Sequence, residues 1–189
     1  WQELAARTGA TLRWLDLDPE GRIDPATLDR IDSTTKIVAF THVSNVLGTI
    51  NPVQRIAQWA HQVGAVVVVD ASQAVPQMPV DVTELGVDLL AFTGHKMLGP
   101  TGIGILWGRY DLLDDLPPFL GGGEMIEVVR MTGSTYAKPP HRFEAGTPPI
   151  AQLAALGVAA DYLDGVGMAA IAQREHQLAA LMLEGLGSV

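Results

Sequence analysis

Residues 65–71, "AVVVVDA", form an apolar run that contains four consecutive valines and ends at a carboxylate, Asp70. Such a run, without polar residues in alternation, is typical of a strand that is buried on both faces of a parallel sheet. Other short runs rich in β-branched and apolar residues lie on either side of it along the chain. Strands are therefore also predicted at residues 9–18, 36–43, 87–94 and 102–108.

Segments with helical signals alternate with these strands. The clearest is residues 52–64, which has Pro52 at its start and Gly64 just past its end. Further helices are predicted at residues 24–32, where Asp24 is a candidate N-cap, at residues 150–167, and from about Met168 onward. Strands that alternate with helices indicate an α/β fold with a largely parallel sheet.

The composition favours a folded domain and excludes several functions. The chain has 189 residues, of which 48% are hydrophobic and 17% charged, which is enough for one domain with a buried core. A net charge of -9 without a basic cluster argues against a nucleic-acid surface. The apolar runs are too short to span a membrane. The sequence contains no Cys, which excludes disulfides and thiolate metal sites and fits a reducing compartment. Both ends of the chain have helical patterns, so we expect a part of a larger protein.

Polar side chains follow three of the predicted strands directly. In open α/β sheets, ligands bind beyond the carboxyl ends of the strands. We therefore expect these side chains to converge on one site: Asn45 after residues 36–43, Asp70 and Gln73 after the valine run, and Thr93, His95 and Lys96 after residues 87–94.

Lys96 and Asp70 form the pair with the clearest chemistry. Lys96 is the one charged side chain of the stretch "FTGHKMLGPTGIGIL", residues 92–106. An amine beside apolar walls loses its charge readily and becomes a nucleophile for carbonyl groups. Asp70 could be only a strand-end carboxylate or a helix cap. Together, a lysine and an aspartate on neighbouring strand ends suit pyridoxal phosphate, which needs an amine for its carbonyl and a carboxylate for its ring nitrogen.

Other polar residues have simpler interpretations. His95 could be a turn residue bonded to backbone, and His42 and His61 are predicted to be structural, with His61 on the exposed face of a helix. The glycines of "GPTGIG", residues 99–104, lack the Lys-Ser/Thr pair of a phosphate loop and indicate a turn between strands. Residues 117–149 show little periodicity and predict a long functional or disordered loop. Within them, "GGGEMIE" suggests a mobile segment with solvated Glu124 and Glu127.

Five motifs, in this order, resemble the group II (Suf-type) cysteine desulfurases of the class V aminotransferase superfamily. They are "THVSNVLGTINP", "VVDASQAVPQMPVDV", "FTGHKMLGPTGIGILWG", "GGGEMI" and "RFEAGTPP". The resemblance covers essentially the whole chain. It implies a fold-type I pyridoxal-phosphate enzyme, with a mixed, mostly parallel sheet and helices on both faces. Residues 1–189 would be part of the large, cofactor-binding domain, without its N-terminal part and without the C-terminal small domain.

The resemblance also implies roles for individual residues. Lys96 would be the catalytic lysine that holds the cofactor as a Schiff base, and Asp70 would pair with the pyridine nitrogen. Gln73 and Asn45 would lie near the phenolic oxygen, while Thr93 and His95 would hold the phosphate; Thr93 stands where many relatives have Ser. Gly146 and Thr147 resemble a segment that reaches the phosphate of the partner subunit's cofactor, which implies a homodimer.

The implied activity is conversion of L-cysteine to L-alanine, with sulfur passed as a persulfide to a Suf-type acceptor protein for iron–sulfur cluster assembly in the cytoplasm. The family's nucleophilic cysteine has no counterpart here, so we expect the chain alone to be inactive. Selenocysteine lyase, or another class V aminotransferase or epimerase, remains an alternative, because the matched residues contact the cofactor and not the substrate side chain. A catalytically silent, dimerising scaffold is a third possibility, against which the intact set of Lys96, Asp70 and Gln73 argues.

Overall fold

A computed structural model describes residues 1–187, and a four-stranded sheet lies at its centre. The strands lie side by side in chain order: β1 (Ile37–Thr41), β2 (Val66–Asp70), β3 (Leu89–Thr93) and β4 (Gly104–Gly108). β1, β2 and β3 are parallel, whereas β4 pairs with β3 in the antiparallel direction. The prediction of a mixed, mostly parallel sheet is therefore confirmed.

Six helices are present in the described part of the chain. Those that match the predicted helices are α2 (Val53–Gln62), α5 (Ile150–Val166) and α6 (Met168–Gly187), and the others are α1 (Gln2–Thr8), α3 (Val82–Leu85) and α4 (Tyr110–Asp115). The short helix α3 begins where the carboxylate of Asp81 accepts hydrogen bonds from the N–H groups of Thr83 and Glu84, and it ends at Gly86 with a left-handed backbone.

The main core lies on one face of the sheet. Because side chains alternate along a strand, Val67 and Val69 of β2 and Leu90 of β3 point to the same side, and all three are at most 2% exposed. Ile56 of α2 packs against this face and is fully buried. Each such side chain contributes roughly 1.5–3 kcal/mol through burial. The helix layer thereby fixes the sheet, and with it the positions of the strand ends.

α5 covers the β3–β4 end of the same face. Its Leu156 and Leu163 are 7% exposed and form a second apolar cluster with Met97, which follows Lys96. Phe92 of β3 packs against both clusters. The turn that carries Lys96 is consequently held in place by the contact between Met97 and α5.

Residues 9–18 do not form the predicted strand. Only Leu17 makes a bridge, an antiparallel one with Ile23, while the rest of the segment is extended without a ladder. Side-chain bonds hold it in place: the guanidinium of Arg13 donates to the Asp32 carboxylate at 2.6 Å and to the backbone oxygen of Arg30 at 3.0 Å. The prediction was wrong because an apolar pattern can mark an extended segment even where no strand lies beside it, and most residues of this segment are exposed.

The helix predicted at residues 24–32 is a 3₁₀ helix, Pro25–Arg30. The predicted cap is present, since the Asp24 carboxylate accepts a hydrogen bond from the N–H of Ala26 at 2.9 Å. Leu28, which is 1% exposed, ties this turn to the main core. The backbone hydrogen bonds at both ends span three residues, from the N–H of Thr27 to the carbonyl of Asp24 and from the N–H of Ile31 to the carbonyl of Leu28, which is the 3₁₀ pattern.

Residues 117–149, predicted to be one long loop, contain a β-hairpin. Its strands are β5 (Ile126–Arg130) and β6 (Gly133–Tyr136), and all their residues are exposed. Because neither face is buried, the sequence shows no alternation between apolar and polar residues, and periodicity could not predict it. The segment predicted to be mobile, residues 121–127, runs into β5 and has the fully buried Met125 as its anchor.

No single helix within residues 1–187 is both long and apolar enough to cross a membrane. α5 and α6 reach that length and composition only as a pair, and the two helices are bent by 74° at the break between them.

Candidate active site

A cleft of about 500 Å³ opens on the sheet face opposite the main core. It lies toward the carboxyl ends of the three parallel strands, where the sequence predicted a site. Its walls come from the last residues of the three parallel strands, and Trp1 beside α1 also contributes. The lining includes Ala39 and Thr41 of β1, Val68 and Asp70 of β2, and Ala91 and Thr93 of β3.

Asp70 presents a carboxylate to this cleft at the end of β2. One carboxylate oxygen, Oδ1, accepts a hydrogen bond from the N–H of Ser72 at 2.9 Å, which fixes the side chain in a tight turn. The second oxygen has no hydrogen bond to any group of residues 1–187, and the residue is exposed. Asp70 is therefore held in position while one oxygen remains available to a cationic or N–H donor.

Thr93 stands beside Asp70 on the next strand. Ala91 lies opposite Asp70 in the parallel register, and Thr93 follows two residues later, so the two Cα atoms are about 8 Å apart from strand spacing and rise. The Thr93 hydroxyl and the Nδ1 atom of His95 are 2.7 Å apart and share a hydrogen bond. This bond orients the exposed imidazole over the end of β3, and it leaves Nε2 free to meet a ligand.

Lys96 closes the 3₁₀ turn Gly94–Lys96 that follows β3. The turn is bound tightly: the carbonyl oxygen of Gly94 accepts hydrogen bonds from the N–H groups of Met97 and Gly99, both at 3.0 Å. Leu98 adopts a left-handed backbone, with φ of 63°, which a leucine rarely adopts. Lys96 itself is exposed and has no ion pair or hydrogen bond within the described residues. The backbone under the amine is thus rigid, and the amine itself is unengaged.

The glycines of this turn are required by close packing. A Cβ on Gly94 would lie 2.9 Å from the Cγ2 atom of Ile103, and a Cβ on Gly99 would lie 2.8 Å from the Gly94 carbonyl oxygen. The turn between β3 and β4 predicted for these glycines is confirmed. They let the loop fold back on itself, and this geometry sets where the Lys96 side chain starts.

Asn45 and Gln73 lie on segments that leave the same edge of the sheet. Asn45 is exposed in the loop after β1, and its side chain makes no hydrogen bond to residues 1–187. Gln73 is half-buried in the turn after β2, where the N–H of Ala74 bonds to the carbonyl of Ala71 at 2.9 Å. Neither residue lines the cleft directly, and their roles remain predictions.

Thr147 is not brought to the cleft by this chain. The neighbouring Gly146, with φ of 83°, donates its N–H to the carbonyl of Gly123 at 3.0 Å. A Cβ on Gly122 would come within 3.1 Å of the Gly146 nitrogen, so the two glycine-rich segments are in direct backbone contact. Residues 142–147 bond to Gly123 and, through Arg142, to the carbonyl groups of residues 114, 116 and 137. Within the described residues, none of their hydrogen bonds reaches β1, β2 or β3. Thr147 is exposed and available to a second molecule.

Arg142 holds the same segment and was not recognised from the sequence. Its guanidinium donates to the carbonyl oxygens of Ala137 at 3.0 Å, Asp114 at 2.5 Å and Leu116 at 3.1 Å. Its side chain is only 14% exposed. Arg142 therefore clamps the loop before Thr147 onto the end of α4. An arginine beside the Gly-Thr-Pro-Pro run is the signal that could have indicated it.

Two histidines predicted to be structural have distinct environments. His42 is 4% exposed, and its Nδ1 atom has no hydrogen-bond partner among residues 1–187. Burial lowers the pKa of His42, because the charged imidazolium would lose its hydration. The Nε2 atom of His61 lies 2.9 Å from the carboxylate of Asp88, a buried group at the opposite end of the sheet. Arg109 donates to the same carboxylate at 2.7 Å.

The chain forms an α/β domain, and its candidate site residues lie at or just after the carboxyl ends of the three parallel strands. The chain belongs to the class V aminotransferase family, since the sequence profile of Aminotransferase class-V matches residues 1–189. The resemblance seen in the motifs is confirmed at this level.

Curated relatives are similar over almost the whole chain. A probable cysteine desulfurase of Streptomyces coelicolor is 61% identical over 179 residues, which are 94% of this chain and 43% of the relative. Probable cysteine desulfurase 2 of Mycobacterium leprae is 52% identical over 189 residues, which are 100% of this chain and 45% of the relative. The chain thus spans less than half the length of the relatives it matches.

Solved structures agree in fold. The cysteine desulfurase CsdA of Escherichia coli superposes with a TM-score of 0.97 at 36% identity, covering 100% of this chain and 48% of that protein. The apo cysteine desulfurase of Thermococcus onnurineus gives a TM-score of 0.95 at 40% identity, covering 100% and 47% respectively. The predicted fold class is confirmed, with this chain corresponding to part of a longer domain arrangement in both neighbours.

Proposed function

We propose that this chain supplies the cofactor-binding part of a pyridoxal-phosphate-dependent cysteine desulfurase of group II (Suf type). The observation that carries the proposal is the combination at one sheet edge of a free Asp70 oxygen and an unengaged Lys96 on a rigid turn. Relatives that match 94–100% of this chain bear the name cysteine desulfurase or probable cysteine desulfurase. The proposal concerns the full-length enzyme, in which residues 1–189 would form part of the large, cofactor-binding domain.

The candidate side chains at this sheet edge fit pyridoxal phosphate, although only Asp70 and Thr93 line the cleft itself and the others lie on the segments that follow the strands. The cofactor presents an aldehyde, a ring nitrogen that is basic, a phenolic oxygen and a phosphate, and it needs a matching partner for each. Lys96 offers an amine for the aldehyde, and the free oxygen of Asp70 is an acceptor for a protonated ring nitrogen. Thr93 and His95 offer an O–H and an N–H donor for the phosphate. Gln73 and Asn45 carry amides at the same edge that suit the phenolic oxygen.

Once bound, the cofactor would supply an electron sink for bond breaking next to the substrate's amino group. The chain's own residues would do the rest. Lys96 would hold the cofactor through its amine, which would be released when the substrate binds. Its free Nζ would then take and return the proton of the substrate α-carbon. Asp70 would keep the ring nitrogen protonated, which lets the ring accept an electron pair.

The proposed reaction converts L-cysteine to L-alanine. A thiolate of the enzyme attacks the substrate sulfur and forms a persulfide S–S bond, the Cβ–S bond breaks with its electron pair left on the carbon skeleton, and Cβ takes up a proton in place of the sulfur. That thiolate must come from outside these 189 residues, because they contain no Cys. The persulfide would pass to a Suf-type acceptor protein for iron–sulfur cluster assembly in the cytoplasm.

Reductive trapping tests the central assignment. Full-length enzyme reconstituted with pyridoxal phosphate should be yellow, and borohydride should fix the cofactor to Lys96, as a peptide map would show. The Lys96→Ala variant should yield no adduct, whereas Lys36→Ala, at an exposed lysine, is the matched control and should give the wild-type yield. An adduct on another residue would refute the role of Lys96. Formation of alanine and a persulfide from L-cysteine would separate a desulfurase from a transaminating or epimerising relative.

A homodimer is part of the proposal, because Thr147 does not reach the cleft of its own chain. We propose that the Thr147 hydroxyl reaches the cofactor phosphate of the neighbouring subunit. Mixing two inactive full-length variants, Lys96→Ala and Thr147→Pro, should then restore activity in part. The mixed dimer has one site that combines an intact Lys96 with an intact Thr147 from the partner. If subunits exchange without any recovery of activity, Thr147 does not act across the interface.

A further inference from the structure

Asn51 is a buried polar residue whose hydrogen-bonding groups reach several segments of the chain. It is 7% exposed. Its side-chain oxygen accepts a hydrogen bond from the N–H of Ile23 at 2.9 Å, and its side-chain NH₂ donates to the carbonyl of Thr41 at 2.8 Å. Its backbone N–H donates to the carbonyl of His42 at 2.9 Å. One side chain therefore ties the end of β1 to the turn that precedes the Pro25–Arg30 helix.

These bonds close the base of the loop that carries Asn45. Above the base, Val43 and Ile50 form an antiparallel bridge, and the N–H of Ser44 donates to the carbonyl of Thr49 at 3.0 Å. Asn45 lies just beyond this last pair, exposed and without a hydrogen bond of its own among residues 1–187. The path of the backbone below it thus determines where the Asn45 amide points.

The same base is connected to the end of β2. The N–H of His42 donates to the carbonyl oxygen of Asp70 at 2.8 Å. The carbonyl of the same His42 accepts the hydrogen bond from the backbone N–H of Asn51. Thr41, whose carbonyl the Asn51 side chain binds, lies opposite Asp70 in the parallel register and lines the cleft. Asn51 is thus bonded to Thr41, the last residue of β1, and to His42, which follows it; both residues lie beside the backbone of Asp70.

From this geometry we infer that Asn51 is a positioning residue, which holds the Asn45 amide in register with Asp70. The inference rests on the proposed function, since it acts through the role proposed for Asn45. Only an asparagine provides both an acceptor for Ile23 and a donor for Thr41 at this length. Aspartate would place a buried charge against the Thr41 carbonyl, and a shorter residue would leave one buried group unpaired.

A double-mutant cycle in the full-length enzyme tests the inference. Two quantities are measured in each variant: the dissociation constant of pyridoxal phosphate, and the apparent pKa at which the visible absorption band of the bound cofactor shifts. We expect Asn45→Ala and Asn51→Ser each to weaken cofactor binding by about tenfold, the size typical of losing an outer partner of a ligand. They should shift the band's pKa in the same direction. The double variant should be within about twofold of Asn45→Ala alone.

Thr27→Val is the matched control. It removes another buried hydrogen bond, which the Thr27 hydroxyl donates to the Asp24 carbonyl at 2.8 Å, and this bond lies outside the loop that carries Asn45. It should lower stability without changing either readout. Effects of Asn45→Ala and Asn51→Ser that multiply would overturn the inference, as would a normal band in Asn51→Ser. If Asn51→Ser does not fold, Asn51→Gln, which keeps an acceptor and a donor but moves both by one methylene, replaces it with the same expectations. A wild-type enzyme that binds no cofactor would refute the proposed function itself.

Discussion

Gly99→Ala offers a direct test of how the turn beneath Lys96 is built. The added Cβ would lie 2.8 Å from the carbonyl oxygen of Gly94 and 2.8 Å from the Cδ1 atom of Leu156. The leucine tip can rotate away. The Gly94 oxygen cannot, because it accepts hydrogen bonds from the N–H groups of Met97 and Gly99. An ordinary C···O contact needs about 3.3 Å, so the turn must open by about 0.5 Å.

Opening the turn should cost stability and activity together. Overpacking of this kind costs about 1–3 kcal/mol, and weakening the Gly99 N–H bond adds about 1 kcal/mol, so we expect a loss of about 2–4 kcal/mol. A displacement of about 1 Å can reduce catalysis by about a hundredfold, so a shift of half that size at Lys96 should lower turnover roughly tenfold. Urea denaturation of the full-length enzyme and turnover of L-cysteine measure the two effects.

Gly157→Ala is the control for this prediction. Gly157 lies within α5, and a Cβ there would meet nothing within 4 Å. Alanine favours a helix over glycine by about 1 kcal/mol, so this variant should be slightly more stable and fully active. A Gly99→Ala enzyme with wild-type urea midpoint and turnover would show that the turn can yield at no cost, and it would refute the rigid positioning of Lys96.

Three further perturbations address other parts of the molecule. Asp70→Ala should fold normally but lose at least about a hundredfold in turnover; a near-normal rate would mean that the carboxylate serves only the turn. Asp88→Ala should lower the free energy of unfolding by about 3 kcal/mol, because it removes a carboxylate that is only 3% exposed. This carboxylate accepts a hydrogen bond from the N–H of Val67 at 2.7 Å and pairs with Arg109. An unchanged urea midpoint would contradict the prediction. Burial lowers the pKa of His42, so the unfolded state binds a proton at this residue more readily than the folded state does. The contribution of the neutral His42 to the free energy of unfolding is therefore present above pH 6.5, and it is lost as the pH falls through the lowered pKa of the folded state. His42→Phe should flatten this acid dependence in urea titrations, unlike the control His176→Gln on α6; equal slopes would refute it.

The sheet and the place of the site could be predicted because both depend on local sequence. Uninterrupted apolar runs mark buried parallel strands, and the rule that ligands bind at the carboxyl ends of such strands then selects one edge. The structure places Asp70 and Thr93 on the cleft and puts the Lys96 turn directly after Thr93. The sequence order of strands and polar residues was sufficient for this step.

The β5–β6 hairpin and the path of residues 9–18 could not be predicted in the same way. The hairpin residues are exposed on both faces, so its sequence has no periodic signal. Residues 9–18 do have an alternating pattern, but a pattern cannot reveal whether a neighbouring strand is present. Thr147 shows a related limit, because the group that it is proposed to contact belongs to another subunit.

The residues that fix the site were also missed, for a physical reason. Asn51 bonds to Ile23, 28 residues earlier, and Arg142 bonds to Asp114, also 28 residues away. Both residues lie within motifs that carry the family resemblance, but neither directly follows a predicted strand, and the sequence assigns no role to them. Their importance comes from burial and from partners that only the folded chain brings together.

The residues proposed to contact the cofactor and the residues that hold their backbone are therefore separate in this fold. Lys96 and Asn45 are exposed and have no hydrogen bonds to residues 1–187, so each can engage a ligand without first breaking an internal bond. The groups beneath them are satisfied within the protein: the Asn51 side chain bonds on both sides, and the Gly94 carbonyl accepts two N–H groups. Ordering a ligand-binding side chain costs less when its backbone is already fixed, because only the rotamers of the side chain remain to be restricted. The close glycine contacts and buried polar bonds, which contribute nothing to the chemistry, thus lower the entropic cost of binding at this sheet edge.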